Sequence, residues 1–199
     1  MKTIKVLITL SIFIIFLSCK KSDQTKSKDS FSIEEKSQEK SSENSNMLIL
    51  TENTLGDLKL EKGMPLDELK IKKLFNNLSV SKNIGEQDGP NYFYYKIGTE
   101  AILTTPNTEN EILSQLWINE KSKVSDEYGI KLGMIYSDIE KRRTNMNIST
   151  EHYHIYLYKE GSNIVYEMSL ENYNGPDKEE YSLEDIKNNN SKVVSIIWK

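Results

Sequence analysis

From residue 47 onward, apolar residues recur at two spacings: every second position in some short runs, and every third or fourth in others. In 152–158, Tyr153, Ile155 and Leu157 fall on one side of an extended strand, and His152, His154, Tyr156 and Tyr158 on the other. Gly161-Ser162-Asn163 supplies a hairpin turn, and the return strand sets Ile164, Tyr166, Met168 and Leu170 on one side. Asn174-Gly175-Pro176-Asp177 closes that strand as a loop. Leu183 and Ile186 predict a short helix, and Val193–Trp198 a last strand. In the earlier part, Gly63 turns the chain from strand into helix. Pro65 suits the first helical turn, where its missing N–H costs nothing, and Leu66, Leu69 and Leu74 form the stripe expected to pack on the sheet.

The pattern occurs twice. Gly63-Met64 heads one helix and Gly133-Met134 another, with Ser137 and Asp138 favouring the second start. Leu58-Lys59-Leu60 and Ile130-Lys131-Leu132 precede them as short strands, and Gly56 and Gly129 lie further upstream. Ile112–Trp117 parallels Val193–Trp198, and each half holds a tyrosine-rich stretch, 92–95 or 153–158. The expected fold is α+β, with two tandem strand–helix–strand–strand–strand repeats, about 50–120 and about 124–199, on an antiparallel sheet.

The first residues follow a different pattern. Lys2 and Lys5 precede an apolar run from Val6 to Leu17, shorter than the roughly 20 residues a helix needs to span a bilayer. Phe16-Leu17-Ser18-Cys19 resembles the lipobox of bacterial lipoproteins, with Phe16 where Leu is usual. The resemblance implies cleavage between Ser18 and Cys19, a diacylglyceryl group on the Cys19 sulfur and a further acyl chain, such as palmitate, on the new amine. Each buried CH₂ contributes about 0.8 kcal/mol, so two or more chains anchor stably. Lys20 follows Cys19. In lipoproteins of the enterobacterial type an Asp there favours retention in the inner membrane, so Lys20 points to the outer membrane. Residues 20–46 balance six lysines against six acids and carry little apolar surface. Such a stretch cannot offset its ordering entropy, so it is expected to be a flexible tether. The expected organisation is a signal peptide over 1–18, a lipidated tether over 19–46 and one folded domain over 47–199.

Composition then narrows the function. The net charge is −4, leaving no basic footprint for nucleic acid. With the tether neutral and the signal basic, the acid excess belongs to the folded part, which anionic lipid repels. Cys19 is the single cysteine, so the core holds together without an internal disulfide.

Several stretches together resemble the sigma-E (RpoE)-regulated lipoproteins, an outer-membrane family with a domain of unknown function. They are Thr54-Leu55-Gly56-Asp57-Leu58, the run from Val124 to Gly133, Gly161–Tyr166 followed by Gly175-Pro176, and Val193–Lys199. The likeness spans 50–199. It implies an envelope-stress setting and no catalytic residue, and this chain lacks the second-half cysteines that some members carry.

Candidate chemistry is sparse. His152 and His154, two apart on a strand, would point the same way and could share a metal with a nearby acid. Asp177, Glu179, Glu180, Glu184 and Asp185 lack the order of a calcium loop and suit a solvated helix start. No nucleophile motif, phosphate loop or dinucleotide fingerprint is present, and no cofactor is expected. Eleven tyrosines are the unusual feature of composition. Tyr95, Tyr156 and Tyr158 are the candidate contact surface, for a protein or a glycan. The leading expectation is a non-enzymatic envelope lipoprotein, bound to the membrane by its lipid and to an envelope partner by its folded part. The rival is a metal-dependent enzyme or small-ligand binder using His152 and His154.

Overall fold

The computed structural model describes residues 47–199, except 87, 172 and 177. The signal segment, the Ser18–Cys19 cleavage site and the tether lie outside the described residues.

In chain order, the elements are β1 (Ile49–Leu50), β2 (Thr54–Leu55), β3 (Leu58–Lys59), α1 (Glu68–Leu74), β4 (Val80–Gly85), β5 (Tyr92–Ile97), β6 (Ala101–Thr104) and β7 (Gln115–Asn119). There follow β8 (Ser125–Asp126), α2 (Tyr136–Arg142), β9 (Asn147–Glu151), β10 (His154–Tyr158), β11 (Ile164–Met168), α3 (Leu183–Asn188) and β12 (Val193–Trp198). The fold is α+β with mostly antiparallel sheet. A small sheet runs β3-β2-β1-β8, and a large one runs β4-β5-β6-β7-β12-β11-β10-β9.

The large sheet consists of two meanders. β4–β7 follow α1, β9–β12 follow α2, and the last strand of each pairs with the other at the centre, Leu116 facing Trp198. Each helix thus leads into four strands, one more than expected. A backbone clamp recurs before each helix. Gly63 N donates to Leu113 O at 2.9 Å and Leu113 N to Met64 O at 2.8 Å. Gly133 N donates to Val193 O at 2.8 Å and Val193 N to Met134 O at 2.9 Å. Both glycines have φ near +80° (79° and 81°), and a Cβ on either would meet nothing within 4 Å. The turn itself, rather than crowding, calls for glycine there.

One core joins the helices, the small sheet and one face of the large sheet. Ile71, Phe75, Ile139 and Ile186 from the helical segments meet Tyr95, Leu103, Leu116, Leu157, Ile196 and Trp198. The first helix departs from expectation. Asp67 is its N-cap, accepting from Leu69 N at 2.9 Å and Lys70 N at 3.2 Å, so the helix begins after Pro65, which bridges to Ile112 instead. With that start, Ile71 and Phe75 turn inward, while Leu69 is 78% exposed. The second upstream strand also shrinks, Lys131 making a single bridge to Ser125. The predicted helix near Leu183 forms as α3, closed by a capping box between Ser182 and Asp185.

Candidate functional site

The register of the large sheet assigns its two faces. Leu116, Ile118, Ile196, Trp198, Tyr166 and Leu157 enter the core. Their neighbours along each strand must then point the other way. Ile102 pairs with Trp117, Trp117 with Ile197, Ile197 with Val165 and Val165 with Tyr158, so these five form one row across five strands of the second face. Val165 and Ile197 at its centre are buried, yet neither belongs to the main core. An antiparallel sheet with one face on a core ordinarily turns polar residues outward. Here the outward side carries its own apolar strip.

Beside that row, the pairings Asn119–Ser195, Ser195–Glu167 and Glu167–Tyr156 build a polar one. Val194 is the extra residue of a bulge opposite the Glu167–Met168 step and is 42% exposed. A groove of about 740 Å³ opens where the two meanders meet. Trp117, Asn119 and Lys96 flank it from the first meander, Ser195 and Glu167 from the second, and Leu132 and Gly133 also line it. The Trp117 indole N–H donates to Gln115 Oε1 at 3.2 Å, which fixes the ring.

The tyrosines divide between the two faces. Tyr156 and Tyr158 are half-buried on the second face, with His154 stacked on Tyr156 at 6.1 Å between ring centroids. Burial first, then Glu167 and Glu151, raises the Tyr156 hydroxyl above its ordinary pKa. Tyr95, expected to be a surface residue, is fully buried in the core, and its hydroxyl donates to Glu111. The pairing with Lys82 and Leu103 turns it inward.

The histidines separate. His154 opens β10 with its Nδ1 2.5 Å from Glu167 Oε1. His152 lies before that strand, in a two-residue turn with Tyr153, at φ 49° and 70°. The i, i+2 alignment of a shared strand is therefore lost. Among the described residues, no group of three or more His, Cys, Asp or Glu side chains could hold a metal ion.

A buried polar cluster, which the sequence did not announce, lies behind the sheet. Arg143, at the C-cap of α2 and 3% exposed, donates to Tyr166 Oη at 2.8 Å, Glu52 Oε1 at 3.0 Å and Ser162 Oγ at 2.6 Å. Its guanidinium also lies 4.5 Å from the Tyr128 ring centroid. Glu52 accepts from Asn163 N at 2.7 Å, and its carbonyl accepts from Trp198 Nε1 at 2.8 Å. Tyr166 donates to Asp126, which also accepts from the backbone N–H groups of Tyr128 and Ile130 at 2.9 and 2.7 Å. Burial raises the Asp126 carboxyl above its ordinary pKa; Tyr166, the two backbone donors and Arg143 oppose the rise. The cluster joins the loop between β1 and β2, α2, the hairpin between β10 and β11, and β12. Apart from Arg143 Nε, which has no partner among the described residues, its groups are occupied with one another, so its chemistry is that of a staple.

These features define an α+β protein built on one large antiparallel sheet with a grooved second face. Among solved structures, the chain is similar to the uncharacterized protein YfeY from Escherichia coli, with a TM-score of 0.55 and 20% sequence identity. The match covers 76% of this chain and 99% of that one. At this identity the likeness carries the fold alone. No family model matches the chain, and no curated protein does. Among the described residues, no helix is long and apolar enough to cross a membrane.

Proposed function

We propose that this chain is an outer-membrane lipoprotein of the cell envelope, tethered through acylated Cys19, whose folded part is a non-enzymatic binding module. The observation that carries the binding role is the strip Ile102–Trp117–Ile197–Val165–Tyr158, an apolar row on the sheet face turned away from the core. Val165 and Ile197 at its centre are buried and Ile102, Trp117 and Tyr158 are half-buried, so the contact surface the row offers lies on those three side chains. Tyr156 and Tyr158 extend it with side chains that pair an apolar ring with a polar tip. The resemblance to the sigma-E-regulated lipoproteins supports an envelope setting, linked to stress.

The two halves are read as a tandem duplication. The recurring clamp, Gly63-Met64 on Leu113 and Gly133-Met134 on Val193, supports this. So do the bridges Pro65–Ile112 and Ile135–Lys192, one residue further along in each half.

The test is photo-crosslinking in living cells. A reactive analogue placed at Tyr156 and at Tyr158 is expected to capture a discrete envelope component, while one at Leu69, exposed on α1, captures none. Equal capture at all three positions would reject the second face as the contact surface. For the anchor, Cys19→Ser is expected to lose both incorporated palmitate and membrane association.

A further inference from the structure

One buried side chain on the second face lacks a hydrogen bond. Ser195 is 5% exposed, lines the groove, and its Oγ has no partner among the described residues. Asn119 and Glu167 sit directly across from it on the neighbouring strands, and neither bonds to it. A buried hydroxyl without a partner costs free energy and calls for an explanation. The groove provides one, because a turn of the Ser195 side chain about its Cα–Cβ bond would bring the enclosed hydroxyl to a ligand oxygen there.

The lining selects the ligand's chemistry. The lining holds Lys96 and Lys121 with Glu100, Glu120 and Glu167, an acidic excess that does not favour an anion such as a phosphate. β7 and β12 are central strands with neighbours on both sides, so no edge is offered to an extended peptide. Charged groups at the rim do not suit a fatty chain. The Trp117 ring beside a hydroxyl, an amide and a carboxylate suits a molecule with one C–H face and several hydroxyls. A volume of about 740 Å³ is ample for more than one such ring, within the roughly 300–1,000 Å³ of small-molecule sites.

We infer that the groove between the two meanders binds a neutral saccharide chain, one sugar ring stacking on Trp117 and a hydroxyl bonding to Ser195 Oγ. The inference rests on the second face being the contact surface and names a ligand class for it.

The experiment uses the full-length protein in a zwitterionic detergent, with the indole nitrogens labelled for NMR. Trp117 borders the groove, while Trp198 is 2% exposed in the core and serves as an internal reference for the fold. The probes are a tetramer of β-1,4-linked N-acetylglucosamine, maltotetraose and inorganic phosphate. At least one tetramer is expected to shift the Trp117 N–H signal saturably, with a dissociation constant at or below about 1 mM. Ser195→Ala should weaken that binding about five- to tenfold and leave the Trp198 signal in place. The saccharide assignment is overturned if neither tetramer moves Trp117, if phosphate alone does, or if Ser195→Ala binds as tightly as the parent. Crosslinking at Tyr156 separates the two readings. Capture there without saccharide binding removes only the saccharide, whereas loss of both removes the contact surface as well.

Discussion

Replacing Arg143 with methionine keeps most of the side chain's volume and removes its charge. Three polar contacts disappear, to Tyr166, Glu52 and Ser162. Asp126, 2% exposed, and Glu52 are left without the cation that faced them. Removing one partner of a buried ion pair costs about 3–5 kcal/mol, against a total stability of about 5–15 kcal/mol for a domain. For a body of this size that lowers Tm by about 10 °C. The assay is urea unfolding of Arg143→Met beside the parent, at about pH 7.5 and about pH 4.5. Burial holds the Asp126 carboxyl above its ordinary pKa, and Arg143 is among the groups that restrain that rise. A group with a raised pKa binds its proton more tightly in the folded state than in the unfolded one. Its destabilising contribution is therefore full above the raised pKa and fades as pH falls through it. Without Arg143 the rise is larger, so the deficit of the variant should narrow at the lower pH. A deficit under about 1 kcal/mol at neutral pH, or one of equal size at both pH values, would refute the account of the cluster as a charged staple.

Ser195→Ala removes the buried hydroxyl without a partner, so it should raise the urea midpoint, by up to about 1 kcal/mol of stability, even as it weakens the groove. Leu116→Ala, at the central junction and fully buried, should cost about 2–5 kcal/mol in the same titration. The Lys178 ammonium, with the Ser182 backbone and hydroxyl, lowers the Asp185 carboxyl to about 2. The support it gives α3 is therefore present above the ordinary carboxylate range and lost as pH falls toward about 2, and faster amide exchange in 183–188 over that interval checks it.

Where local pattern and tertiary contact agreed, the sequence was readable. β11, α3 and β12 stand where alternation, the spacing of Leu183 and Ile186 and the last apolar run put them. Other elements were hidden for specific reasons. The hairpin before β10 turns on His152 and Tyr153 in left-handed conformations, positions usually marked by Asn or Gly. With no such mark, the sequence hides β9 and sets both histidines on one strand. Tyr92–Tyr95 is aromatic on both faces, so alternation could not say that Tyr95 points inward. The sequence pattern sets Ile112 against Val193, but the clamp sets Leu113 there. A one-residue slip exchanges the faces of a strand, which is why Trp117 lies by the groove and Trp198 in the core. The staple joins Glu52 to Arg143 across 91 positions and Asp126 to Tyr166 across 40, separations at which no local spacing speaks.

The central pairing of β7 with β12 also has a bearing on timing. A chain emerging from its N-terminus can complete β4 to β7 and stop there, with the β7 edge bare. The keystone of the sheet is the last strand to appear, and until Val193–Trp198 arrives the two meanders have no seam between them. Long-range pairing of this kind forms late. A chain cut short before Val193 would lose the strand pairing between the two meanders and keep only the β1–β8 pairing and the Glu52 contacts to link its halves.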